Sequence, residues 1–197
     1  MNTLSLIVGL GNPGSEYAQT RHNAGFWYVQ QLAEQYHIQL KSDSRFFGIS
    51  GRGTIEGHDV RLLLPSTFMN RSGQSVAPFV KFYQIPVHQI LIAHDELDMP
   101  AGHIRLKSGG GHGGHNGLRD IVPHIGADFH RLRIGIGHPG SREKVTAHVL
   151  GKAPQAEQQL FDQAIEQALQ RTHLLVGGQI DKAMNQLNAF KPDSTTK

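Results

Sequence analysis

Short apolar runs alternate with amphipathic stretches along the whole chain, with no internal repeat and no Pro/Ser-rich linker, and this alternation most constrains the fold. Residues 4–8 are apolar but for Ser5, of strand length, and end in a glycine turn. Further strands are expected at 46–52, 59–64, 89–93, 103–107 and 129–136. Helical spacing covers 24–36, with Asn23 as its expected N-cap, then 72–83, 117–122, one long stretch at 154–176, and 179–187. The interleaving predicts an α/β fold, a single three-layer domain with a central sheet, over residues 1–191. Residues 192–197 read as a polar C-terminal tail. Loops at the C-terminal ends of strands are where such sheets usually bind ligands. Asn12, Asp95 and the glycine-rich stretch 109–114 all follow strands, so they are expected to converge there.

A chain of 197 residues suits one compact domain able to bury its own core. It has no cysteine, which excludes a disulfide framework, a thiolate zinc site and a cysteine nucleophile. The apolar stretch 4–10 is short and lacks a cationic lead-in, so neither a signal peptide nor a membrane span is expected. The formal net charge is only +3, and its placement is more informative than its size. Arg105 and Lys107 alternate, as do Arg131 and Arg133, so each pair shares one face of its strand. Arg119, Arg142 and Lys144 flank the same region, and solvated surface charge remains the simpler reading of this pattern.

Two familiar glycine patterns fail on context. Gly9-Leu10-Gly11-Asn12-Pro13-Gly14 fits the G-x-G-x-x-G spacing, but no helix starts within that turn and the nearest acidic residue, Glu34, lies inside a helix. Residues 109–114 have the spacing of a phosphate-binding loop, but His115-Asn116 stands where lysine and a hydroxyl are needed. The loop still lets backbone approach a ligand closely.

The residues with chemistry to offer are His22, just before a helix, and Asp95, just after a strand. A histidine can take a proton from water near neutral pH, and a carboxylate can fix its tautomer. Spacing does not pair them, and the chain has 13 histidines. Asn12, Asn70 and Asn116 each sit in or after a turn. Turn chemistry explains them; so does a site that grips a peptide backbone or an ester carbonyl through neutral amides. A metal held by His112, His115, His94 and Asp95 is the rival use of the histidines, but the spacing matches no zinc motif and none is expected.

Several segments together resemble the bacterial peptidyl-tRNA hydrolase family. They are Val8-Gly9-Leu10-Gly11-Asn12-Pro13-Gly14 with Tyr17, Thr20-Arg21-His22-Asn23-Ala24-Gly25, Thr67-Phe68-Met69-Asn70-Arg71-Ser72-Gly73 and Ala93-His94-Asp95-Glu96-Leu97-Asp98. The run from Gly109-Gly110-Gly111-His112 through Gly113-Gly114-His115-Asn116-Gly117-Leu118 follows, then Phe129-His130-Arg131-Leu132-Arg133-Ile134-Gly135-Ile136-Gly137-His138-Pro139-Gly140 and Val149-Leu150-Gly151. The resemblance runs in order over nearly the whole chain and is least distinctive after Gln155.

It implies a twisted mixed β-sheet flanked by helices, in a monomeric cytoplasmic enzyme that needs no metal or other cofactor. The implied reaction is hydrolysis of the ester between peptide and tRNA. His22 would be the general base on water and Asp95 would orient it. Asn12 and Asn70 would position substrate near the ester, while Asn116 with His115 would hold peptide or the attacking water. Tyr17, Phe68 and Met69 would line the pocket. Lys107 and Arg133 would clamp the 5′-phosphate of the tRNA, with Arg105 and Arg142 extending the basic surface. The alternatives are a non-catalytic tRNA- or ribosome-binding module, which needs the basic strands only, and a peptidase or esterase of the same fold, which needs the dyad only.

Overall fold

The computed structural model describes residues 3–192, so the expected tail lies, apart from Pro192, outside the described residues. The first strand, β1 (Leu6–Gly9), is fully buried and leads through a long loop to a 3-10 turn at Arg21–Asn23 and helix α1 (Ala24–Gln35). No helix starts in the first glycine turn, which removes the dinucleotide reading on geometry. A short strand β2 (Lys41–Asp43) and the hairpin of β3 (Gly48–Ile55) and β4 (His58–Pro65) follow. The expected strand start at Phe46 is instead a 3-10 turn, because Phe47 takes a left-handed backbone (φ 47°) and Phe46 turns inward against Phe79.

Helix α2 (Gly73–Phe82) and strand β5 (Ile90–Glu96) follow, β5 carrying Asp95 at its C-terminal end. Then come β6 (Ile104–Ser108), α3 (Asn116–Ile125) and β7 (His130–Gly135). A short helix α4 (Val145–Val149) was not expected from the sequence. The expected long helix is two, α5 (Gln155–Gln170) and α6 (Thr172–Val176), before α7 (Ile180–Ala189). The break falls at Arg171, where side chains satisfy the last carbonyls of α5: Thr172 Oγ1 donates to Leu169 O and Arg171 Nη1 to Gln167 O.

The strands form one mixed sheet in the order β2-β3-β4-β1-β5-β7-β6. Four central strands run parallel, with β3 and β6 antiparallel to their neighbours toward the two edges. One face is covered by α1, α5, α6 and α7 around Leu91, Leu132 and Ile165; the other packs Ile92 and Phe129 against α2 and α3. This is the expected three-layer α/β architecture.

Two glycines set how closely α1 approaches the sheet. A methyl on Gly25, in the first turn of α1, would overlap Ala93 O and the backbone of Leu10, and one on Gly9 would overlap Gly25 O. Only hydrogen fits at this crossing, which brings the turn before α1 down onto the C-terminal ends of β1 and β5. Because β6 runs against β7, the glycine-rich stretch leaves it at the opposite end of the sheet and must return to reach α3. Among the described residues no helix is long and apolar enough to cross a membrane.

Candidate active site

The turn at Arg21–Asn23 and the end of β5 bring His22 against Asp95. His22 Nδ1 lies 2.9 and 3.0 Å from the two carboxylate oxygens. Both residues are largely buried, at 8% and 3% exposure, yet both line an open cleft of about 220 Å³. The carboxylate accepts the Nδ1 proton, which leaves Nε2 as the ring's lone-pair nitrogen. Burial alone would lower the pKa of His22, but the charge of Asp95 and its hydrogen bond outweigh this and raise it above 6.5. Burial pushes Asp95 up, and the imidazoles of His22 and His115 more than reverse it, holding the carboxyl well below its usual range.

His115 is the second imidazole on that carboxylate, with Nε2 2.8 Å from Asp95 Oδ1. Its Nδ1 accepts from the backbone N–H of Gly117 and Leu118, capping α3. Since Nδ1 is the acceptor, the proton sits on Nε2 and is donated to Asp95. Both ring nitrogens are thus engaged within the protein, so the grip on peptide or water implied for His115 has no free ring nitrogen to make it. His22, Asp95 and His115 are grouped closely enough to suggest a metal site. The proton on His115 Nε2 removes the lone pair that a ligand would need. Of the other histidines in the rival metal reading, His112 accepts from Gly114 N and His94 Nδ1 is bonded to Asp95 O.

Asn12 is held from three sides. Its N–H donates to Asn23 Oδ1 and its carbonyl accepts from Asn23 Nδ2, both at 2.9 Å, while its own Oδ1 accepts from Met69 N at 2.7 Å. That fixes the amide so that Nδ2 is the group left for the cleft, which Asn12 lines. Asn23 makes no side-chain cap to α1; the expected N-cap is spent on orienting Asn12.

Phe68, Met69, Asn70, His115 and Asn116 all line the cleft. Phe68 is 57% exposed and Asn70 and Asn116 are exposed on the rim, while Met69 is buried. Tyr17 does not line the cleft. Its ring meets that of Phe68 edge-on, with the centroids 6.3 Å apart. The opposite wall is α4, through Val145, Thr146, Val149 and the following Leu150. Sequence reading missed this wall: its apolar spacing is right for a helix but covers barely one turn. Glu96, at the end of β5, was missed too.

The basic residues fall on one face of the sheet. Arg105 pairs with Arg133 and Lys107 with Arg131 across β6 and β7. Arg105 and Lys107 are exposed, as is Arg142 in the turn before α4. Arg133 is partly covered; its Nε donates to Glu96 Oε1 at 2.9 Å, and its Nη2 lies 2.9 Å from the same oxygen as an ion-pair contact. Arg131 is buried and serves the fold: its guanidinium donates to the carbonyls of Gly110, Gly111 and Ala127, which fastens the glycine-rich stretch to β7.

A sequence profile described as Peptidyl-tRNA hydrolase matches residues 6–195. A protein of that name from Acinetobacter baylyi is 74% identical over 192 residues, 98% of this chain and 100% of its own. Another from Psychrobacter cryohalolentis is 63% identical over 188 residues, 95% of this chain and 97% of its own. The crystal structure of peptidyl-tRNA hydrolase from Acinetobacter baumannii is similar with a TM-score of 0.96 at 74% identity, over 98% of each chain.

Proposed function

The chain belongs to the peptidyl-tRNA hydrolase family and hydrolyses peptidyl-tRNA, and from that premise we propose that His22 Nε2 is the base that activates water. The observation that carries this is the Nδ1 contact with Asp95, which turns the free nitrogen of His22 toward the cleft. Water attacks the ester carbonyl carbon as Nε2 takes its proton. The tetrahedral intermediate collapses, the bond to the ribose oxygen breaks, and the imidazolium returns the proton to that oxygen. The products are a peptide carboxylate and a tRNA hydroxyl.

Charge developing on the carbonyl oxygen needs a donor already aimed at it. Asn12 Nδ2 fits, since Met69 N and Asn23 leave it no freedom to reorient. Asn70 and Asn116 on the rim are placed to hold the peptide backbone, and the exposed face of Phe68 to pack against the terminal base or the peptide. His115 acts through Asp95 rather than on substrate.

The shared face of Arg105, Lys107 and Arg133 supports a phosphate-binding role, with Lys107 and Arg133 as the clamp and Arg142 farther out. Phosphate contacts position RNA without reading its sequence, so activity on many tRNAs is expected. We also read the protein as a cytoplasmic enzyme; that it is a monomer needing no metal is supported by every group in this mechanism being a side chain of one chain. N-acetyl-aminoacyl-tRNA incubated with the protein and EDTA is expected to be cleaved. His22→Ala should cut turnover by about 10²–10⁴-fold with modest loss of tRNA binding. Full turnover in that variant removes His22 from the chemistry.

A further inference from the structure

Among the described residues Glu96 is the one carboxylate besides Asp95 that lines the cleft, and the hydrolysis described above gives it no part. On β5, His94 and Glu96 point to the same face of the sheet, the face that carries Arg133 on β7. Arg133 meets a like charge on one side, Arg105 across β6, and its guanidinium is drawn to the other side, where Glu96 accepts it. The ion pair is partly shielded, with side chains 23% and 13% exposed, so it is not the freely solvated kind that contributes little.

The bonding pattern leaves a particular edge of Arg133 free. A guanidinium has five N–H donors in a fixed fork. Glu96 Oε1 accepts the one on Nε and lies 2.9 Å from Nη2, so the carboxylate occupies the Nε–Nη2 edge. The hydrogens that remain lie on Nη1 and the outer side of Nη2, and these form the planar pair that grips a phosphate through two bonds. One carboxylate therefore sets the direction of that pair while also standing in the wall of the ester-cleaving cleft.

We propose that Glu96 is a positioning residue that aims Arg133 at the terminal 5′-phosphate and so sets how strongly the enzyme prefers a phosphorylated tRNA end. This rests on the reading of Arg133 as a phosphate clamp. The probe is N-acetyl-aminoacyl-tRNA with its 5′-phosphate intact or enzymatically removed. For each variant the quantity read is the ratio of kcat/KM on the two substrates. The ratio is internal to one protein preparation, so a partly unfolded variant does not distort it.

Arg133→Ala should lose most of the wild-type ratio. Glu96→Ala should lower it by about fivefold or more, the order expected when one charge-assisted hydrogen bond is misaligned, with the change in KM rather than kcat. Glu96→Gln, whose amide oxygen can still accept from Nε, should keep most of it. The double variant should fall no lower than Arg133→Ala alone. A wild-type ratio in Glu96→Ala, beside a reduced one in Arg133→Ala, overturns the role of Glu96 and leaves the clamp standing. A wild-type ratio in Arg133→Ala overturns both. Equal losses in the Gln and Ala variants of Glu96 overturn positioning in favour of a charge effect.

Discussion

Asp95 accepts hydrogen bonds from two imidazoles, and this decides what each ring can do. An amide at this position has one acceptor oxygen and an NH₂ group, so one ring would face a donor. Asp95→Asn should slow turnover by about 10²-fold or more. It should also move the pH profile. His22 is raised above 6.5 by Asp95 against the opposing effect of burial, so the neutral base accumulates only above that raised value. The pH dependence of kcat/KM should therefore rise with a midpoint above 6.5 in the wild type. With the carboxylate charge removed, burial is left to act, and the midpoint should fall below 6.5. A midpoint unmoved by Asp95→Asn contradicts this account. His22, Asp95 and Asn12 were legible as members of a familiar set. The tautomer of His115 was not, because it depends on which backbone N–H groups are left open by the start of α3 at Asn116. Asn23 was misread because local sequence favours a cap, whereas its partner is eleven residues away.

Elements hold the reacting residues at fixed heights. The Gly9–Gly25 crossing places α1 so close to β1 and β5 that its preceding turn meets Asp95. Gly25→Ala should force the helix away, lowering stability by about 1–3 kcal/mol and reducing turnover with it. Gly111 offers the contrast, since an added methyl there meets nothing within 4 Å. Gly111→Ala should stay within about 0.5 kcal/mol of wild type. Urea melts and steady-state rates on the two variants check both statements; equal behaviour would show that the crossing is not tight. Element types were mostly readable because their periodicities were long. The wall helix α4 and the strand β2 are too short to carry a period, and the break between α5 and α6 is invisible because the apolar spacing continues through it.

At the scale of the whole molecule, burial in the sheet sets an acid limit. His94 is fully enclosed, and burial first, with His115 and Arg131 adding to it, pushes its pKa down to about 3. Its folded value lies below its ordinary value of 6.5, so between about 6.5 and 3 the unfolded chain binds a proton that the native one does not. Stability should fall as pH drops through that window, by up to ~1.4 kcal/mol per pH unit from this residue. His94→Gln should make the decline shallower by one proton when urea melts are compared across pH 4–7; an unchanged slope would remove His94 as its source. The α/β class was legible from alternation alone. Strand order was not, since an apolar run does not name its neighbour, and nothing local revealed that β6 turns back against β7. That reversal gives the following segment a fixed job. Four rungs separate the pairing of His130 from that of Ile134, about 13 Å of climb. The stretch 109–115 must cover it at no more than ~3.5 Å per residue, with its last residues already curled into a turn by His115 N and His112 O. Seven residues at that rise reach about 24 Å, so the segment has slack and folds it into left-handed turns at Gly109, Gly110, Gly113 and Gly114. Removing one glycine should still cost more turnover than alanine at Gly111, because it shifts the carbonyls that Arg131 holds and the turn that seats the His115 imidazole.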